Sequence, residues 1–333
     1  MNHTFNIALA TWLLLTSTGG ARPSGDSNSS APHYKVIELP LRALGVNDEG
    51  QVAGTTVTDK DQFHAALWSQ KTGLRDLGVP PGFYSSGANG INNQGHAVGN
   101  AATPDDSSTL AFIYKKGRLV VLGPSQPPAI SRANAINNLD QIAGESVIRG
   151  KAGSRAVVWA GKTLLDVGGC CGGIANAIND QGQTVGYLFD AEGHYHAFLW
   201  DSTHGRRQLG PKEGFSNAVA INNRGHVVIK LNVEDILLYA EGKTTALKLS
   251  PHNNTAHGIN DADVVVGASG PTPDKNRAFV WDKQHGFRDL NKWIPADSGW
   301  LLQTASDINN RGQIVGWGEY RGKDNVGFLL TPQ

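Results

Sequence analysis

The sequence predicts an all-β protein, a seven-bladed β-propeller whose N-terminal strand completes the last blade. Three observations carry this. A phrase best read at Ile178-Asn179-Asp180-Gln181-Gly182-Gln183-Thr184-Val185-Gly186 occurs seven times, with its first asparagine at Asn47, Asn92, Asn137, Asn179, Asn222, Asn260 and Asn309. The intervals are 45, 45, 42, 43, 38 and 49 residues, a period typical of propellers and related arrays. Each interval holds short runs of Val, Ile, Phe and Trp punctuated by Gly and Asn, and none sustains a 3.6-residue period.

Taken in order, the chain opens with an apolar run over residues 5–16 followed by Gly19-Gly20-Ala21. This reads as a signal peptide over 1–21, too short to span a bilayer comfortably. Residues 22–33, rich in Ser, Pro and Asn, read as a disordered leader. The propeller then occupies 34–333 as one domain. No second apolar span follows, so a secreted or periplasmic protein that does not cross a membrane is expected.

Within a repeat, strand a is Ala175 to Ile178, strand b Gln183 to Leu188, strand c His196 to Trp200 and strand d Arg207 to Gly210. The Asn-Asp-x-Gly step between a and b suits a tight hairpin, because Asn and Asp make local turn bonds and Gly accepts positive φ. The run Tyr34 to Leu39 precedes the first phrase as Leu164 to Val167 precedes the fourth, so it reads as a d strand. The last copy ends with Val326 to Leu330, a c strand with no d strand behind it. Pairing the two ends closes the ring and removes its edges. The variable b–c loops (55–63, 100–109, 145–154, 187–195, 230–234, 268–276 and 317–325) and the d–a loops emerge together on one face, where function is expected.

The joined phrases Ile-Asn-x-x-Gly-Gln-x-Val-Gly and His196-Ala197-Phe198-Leu199-Trp200 resemble the bacterial extracellular HAF repeat family. His64-Ala65-Ala66 and Arg277-Ala278-Phe279 match partly. The resemblance covers nearly the whole expected mature chain and implies export and a repeat fold, but brings no catalytic residues. The fifth unit departs most, with Ile229 in place of glycine and Tyr239 in place of tryptophan.

Formal net charge is zero with Lys and Arg scattered, which argues against nucleic acid as a partner. A monomer without cofactor or metal is expected. His194, His196, His252 and His257 invite a metal reading, but His64, Arg155 and Arg277 occupy the repeat position of His196. Pairs such as His64–Asp76, Arg155–Asp166 and Arg277–Asp289, with Gln208 opposite His196, read as cross-strand contacts. The turns supply too few carboxylates for calcium.

Asn89, Asn134, Asn176, His257 and Ser306 share one inner-strand register, with Leu44 and Val219 as apolar exceptions. They read either as a polar ladder between blades or as a ring facing a ligand. Cys170 and Cys171 are the only cysteines. Neighbouring Cα atoms lie about 3.8 Å apart, short of the usual disulfide range of about 4.4–6.8 Å. A strained vicinal bridge is favoured over a free or intermolecular thiol pair, with a catalytic thiol last.

Loop aromatics such as Tyr84, Phe215, Trp300 and Trp317 either pack beneath their loops or bind a carbohydrate or protein ligand. No nucleophile elbow, zinc-protease or phosphate-loop motif occurs. The function expected is therefore binding of such a ligand on the variable face. The alternative is a polysaccharide lyase or glycoside hydrolase at the channel mouth, for which His257, Tyr195 and Arg132 are the raw material.

Overall fold

The computed structural model describes residues 34–105, 107–123, 130–151, 153–169, 171–211, 213–232, 235–249, 253–272 and 275–333. The expected signal peptide and leader, Cys170 and His252 lie outside the described residues. Seven four-stranded antiparallel sheets form a seven-bladed β-propeller. The N-terminal strand β1 (Tyr34–Leu39) is the outermost strand of blade seven. It pairs with β28 (Lys323–Pro332) from Tyr34↔Pro332 to Leu39↔Gly327, as the ends of the sequence predict. Strands b and c reach further into the b–c connections than expected. Phe189 ends β15 (Thr184–Phe189), Tyr195 opens β16 (Tyr195–Asp201) and Trp317 lies within β27 (Ile314–Tyr320), rather than in loops.

The core lies between blades rather than at one centre. One cluster joins Ala143, Ala156 and Val158 of blade three to Ala175, Leu188 and Phe198 of blade four. Another joins Val46, Val52 and Ala66 of blade one to Val315 and Leu329 of blade seven. Because each sheet is covered on both sides, its middle strands read as unbroken apolar runs.

The two halves of the repeat phrase meet across strands b and c. Gly186 pairs with Phe198, Gly99 with Phe112, Gly267 with Phe279 and Gly316 with Phe328. A Cβ on Gly186 would stand 2.0 Å from the Ile174 carbonyl oxygen, and one on Gly267 or Gly316 would also meet the ring of Phe279 or Phe328 at 2.9 or 2.7 Å. Strand b therefore leaves the space that strand a and the phenylalanine close over. The fifth blade exchanges both members: Ile229 pairs with Leu237. The larger residue on b meets a smaller one on c, and the blade remains complete.

The asparagine that opens each phrase links the blades. Its amide nitrogen donates to the backbone carbonyl of the matching asparagine in the next blade. Asn47 donates to Asn92 (2.9 Å), Asn92 to Asn137 (3.0 Å) and Asn137 to Asn179 (2.9 Å). The series continues from Asn179 to Asn222 (3.0 Å), Asn222 to Asn260 (2.9 Å) and Asn260 to Asn309 (3.2 Å). Asn309 donates back to Asn47 (2.8 Å), so the belt closes.

Each Oδ1 also accepts the amide N–H groups two and four residues on, as at Asn179 from Gln181 (3.1 Å) and Gln183 (3.0 Å). All seven asparagines are buried, so a lost partner leaves backbone groups unsatisfied. A second closed circuit lies one residue on. The backbone N–H of Asp48, Asn93, Asn138, Asp180, Asn223, Asp261 and Asn310 each donates to the side-chain Oδ1 of the next in order.

Two copies change the belt in a matched way. Gln51, Gln141, Gln183 and Gln313 each accept from their own asparagine at 2.7–2.8 Å. Each glutamine lies over a glycine of the next turn, respectively Gly95, Gly182, Gly225 and Gly50. Where the phrase carries His96 or His226 instead, the next turn carries Asp140 or Asp263. The His96 and His226 Nδ1 atoms then meet these carboxylates at 2.7 Å, which also accept from Asn92 and Asn222.

Two stability predictions follow from the belt. Asn137→Ala removes one interblade bond, two turn bonds and the bond to the Gln141 side chain and should destabilise the protein by about 2–4 kcal/mol in urea unfolding. His96→Gln and Asp140→Gly should each destabilise singly, whereas the double variant recreates the Gln51–Gly95 arrangement and should recover at least about 1 kcal/mol. Simple additivity of the two losses would contradict a direct coupling.

Candidate functional site

Strand a of each blade carries a β-bulge where its pairing to strand b shifts by one residue. The shifts fall between Ala43 and Gly45, Ala88 and Gly90, Ala133 and Ala135, Ala175 and Ala177, Ala218 and Ala220, and Ala256 and Gly258. A seventh falls between Ala305 and Asp307. The bulged residues are therefore Leu44, Asn89, Asn134, Asn176, Val219, His257 and Ser306, the register picked out in the sequence. All seven line one chamber of about 650 Å³ toward the variable-loop end of the channel. A bulge re-aims a side chain without ending the strand, and here it brings one residue of every blade to the lumen.

The asparagines in this ring also join blades. Asn89 Nδ2 donates to the Ala133 carbonyl at 2.9 Å and Asn134 Nδ2 to the Ala175 carbonyl at 3.0 Å. Asn176 Nδ2 donates to the Ala218 carbonyl at 2.9 Å and to Asn217 Oδ1 at 2.7 Å. A carbonyl needs a donor, so these contacts fix which end of each carboxamide points away from the lumen. The nitrogens thus form the interblade ladder, and the half-buried side chains line the chamber.

Toward the turn face the channel narrows. Ile91, Ile136, Ile221, Ile259 and Asp307 line both the upper chamber and a lower one of about 190 Å³. Asp307 Oδ2 accepts the Val46 amide at 3.0 Å and Oδ1 its neighbour Ile308 at 2.8 Å. Burial in this apolar waist pushes the carboxyl up to about 6, with the Asp48 charge adding to it against the two amide donors. Asp307 was missed in the sequence reading, although a signal exists: Gly45, Gly90, Ala135, Ala177, Ala220 and Gly258 hold the same repeat position.

His257 sits one blade away. Enclosure by the ring, followed by the Lys230 ammonium, pushes its imidazole down to about 4. The side chain is exposed to the lumen, and channel water softens the first effect, but both causes act in one direction and leave the ring neutral at pH 7.

The other expected site residues disperse. Arg132 pairs with Glu145 at 2.5 Å, and Glu145 also accepts from Ser154 at 2.6 Å. Tyr195 joins Tyr187 and Phe215 in an aromatic cluster, with ring centroids 5.2 and 4.8 Å from its own. Neither Arg132 nor Tyr195 lines the chamber with His257. Trp300 stacks on Tyr320 at 4.6 Å and packs against the core of blade seven, the role of an aromatic held beneath its own loop. Trp317 does line the chamber, with the Arg42 guanidinium 4.6 Å over its ring. Tyr84 and Phe215 remain exposed.

Cys171 lines a separate hollow of about 300 Å³ with His196, Asp190 and Arg206. The proposed bridge to Cys170 falls outside the described residues. Among the cross-strand pairs, His64–Asp76 (2.9 Å) and Arg155–Asp166 (3.4 Å) form. Two expected partnerships are corrected. His196 meets Asp190 at 2.9 Å rather than Gln208. Asp289 caps the short 3-10 turn Leu290–Lys292 through Asn291 N at 2.9 Å, while Arg277 donates to the Asn276 carbonyl.

The two channel groups give opposite pH signatures. Asp307 holds its proton more tightly folded than unfolded, so its stabilising contribution is full below about pH 3.8 and is lost as pH rises through about 6. His257 holds its proton less tightly folded, so its contribution is present above about pH 6.5 and is lost as pH falls through about 4. Relative to wild type, Asp307→Asn should therefore lose melting temperature more steeply between pH 6.5 and 4, and His257→Asn less steeply. Parallel curves for all three proteins would contradict both assignments.

No family model matches the sequence, and a search of curated proteins finds no relative. Solved structures do match. The β-propeller domain of the Trilobed protease from Pyrococcus furiosus aligns with a TM-score of 0.59 at 10% identity, covering 89% of this chain and 94% of that one. Virginiamycin B lyase from Staphylococcus aureus aligns at 0.54 and 11% identity, covering 90% and 99%. The BP39L lectin from Burkholderia pseudomallei aligns at 0.52 and 10% identity, covering 87% and 95%. At such identities the likeness establishes the propeller fold alone.

Proposed function

We propose that this chain is an exported member of the HAF repeat family that binds a small carbohydrate in the upper chamber of its channel. The observation that carries the reading is that one bulged residue from every blade lines a single chamber. Its volume of about 650 Å³ suits an oligosaccharide-sized ligand rather than a protein surface. Carboxamides, hydroxyls of Thr255, Thr304 and Ser306, and the indole of Trp317 are the groups that hold polyhydroxylated rings. A lyase or hydrolase would need an acid and a base in reach of one bond. Tyr195 and Arg132 lie away from His257, and Asp307, which shares the chamber with His257, is hydrogen-bonded to backbone amides rather than to it, which favours binding without turnover.

Calorimetric titration of the purified protein with a panel of oligosaccharides tests the reading. A saturable complex with at least one member is expected, with no new reducing or unsaturated ends formed. Asn134→Ala and Trp317→Ala should each weaken that complex roughly 10-fold, the equivalent of one lost hydrogen bond or ring contact. Binding unchanged in both variants would place the ligand elsewhere. Export predicts that the protein recovered outside the cytoplasm begins near residue 22, read by N-terminal mass spectrometry; an intact Met1 would overturn it.

A further inference from the structure

We infer that the ligand of the upper chamber carries a primary ammonium group, which seats against Asp307 at the waist. The inference deepens the carbohydrate reading and rests on it for the place of binding. Three observations lead to it. First, Asp307 is a carboxylate at an isoleucine-lined constriction, open to the chamber, and among the described residues no cationic side chain pairs with it. The Arg42 guanidinium of the chamber wall stands over Trp317 instead. Its two recorded partners are backbone amides, one on each oxygen. Each oxygen therefore retains acceptor capacity. The fold itself does not demand the charge, since six blades make the same crossing with glycine or alanine.

Second, the chamber wall is biased toward acceptors. Asn176 gives both of its amide hydrogens to blade five, and Asn89 and Asn134 each give one to the next blade, so acceptor oxygens outweigh the donors these three carboxamides keep for a ligand. A wall of acceptor oxygens above a carboxylate complements a ligand rich in N–H and O–H donors. Third, charge is distributed along the axis. Arg42 and Lys230 lie toward the upper rim: Arg42 stands two residues before Leu44, and Lys230 pairs with Asn217, two residues before Val219. Asp307 lies at the floor with Asp48 beyond it. An ammonium is therefore drawn past the rim cations only at the lower end, which favours a ligand with one amino group over a polycation.

The test is titration calorimetry at neutral pH with four probes: a disaccharide bearing one free amino group, its N-acetylated twin, its hydroxyl counterpart, and the ring-free amino alcohol 5-aminopentanol. The amino disaccharide should bind at least roughly 10-fold more tightly than either neutral twin, as expected for a charge-assisted bond. Asp307→Asn, which keeps an acceptor oxygen for the Val46 amide, should erase that preference. Equal binding of the neutral twins, or a preference that survives in a folded Asp307→Asn variant, overturns the ammonium assignment and leaves the carbohydrate reading standing. Binding of 5-aminopentanol alone supports the ammonium seat and sinks the carbohydrate reading. Binding of none sinks both. Should the variant fail to fold, the wild-type preference between amino and neutral twins still decides.

Discussion

Seven asparagine side chains reach from each blade to the carbonyl of the next, and the last of them returns to the first. This belt is the constraint on which the rest of the ring depends. A blade alone is a small twisted sheet with both faces apolar, and packing between faces is non-directional. The belt supplies the direction. Each Oδ1 braces its own turn while Nδ2 holds the next, so local turn formation and ring closure use the same residue. The recurrence of the phrase is thereby explained by geometry: a different residue at that position would leave a buried carbonyl and two N–H groups unmet at once.

The same commitment shapes the lumen. Midway along the inner strands of blades two, three and four a second set of asparagines again turns nitrogen to the next blade, and their side chains line the channel. These three blades present carboxamides, and the other four differ. Blades five and one depart with Val219 and Leu44, blade six with His257, and blade seven with Asp307 one position on. The chemistry of the chamber is thus written in exceptions to the repeat, whereas the repeat itself is architecture.

Much of this was readable from residues alone. The seven phrases, the orphan c strand at Val326 to Leu330 and the run Tyr34 to Leu39 led to the correct blade number and closure. The bulge register was visible as Asn89, Asn134 and Asn176 in matching positions. The interblade reach of the phrase asparagine was not, because its local turn bonds explain its presence without any neighbour. The exchanges of Gln for His with Gly for Asp stood in adjacent copies, but only the juxtaposition of blades reveals that His96 touches Asp140. Arg277 and Asp289 were misread as a pair because the turn at Leu290–Lys292 recruits the aspartate as a cap. Trp317 was placed in a loop because it ends an apolar run, while strand β27 continues through it.

The belt makes one direct claim about atoms: seven side-chain amides are bonded in a closed circuit within the folded protein. Hydrogen exchange of assigned carboxamide protons, followed by NMR, measures it. The account predicts that the Nδ2 protons of Asn47, Asn92, Asn137, Asn179, Asn222, Asn260 and Asn309 exchange far more slowly than that of a solvent-exposed asparagine such as Asn325. Exchange of the seven at the rate of Asn325 would contradict it.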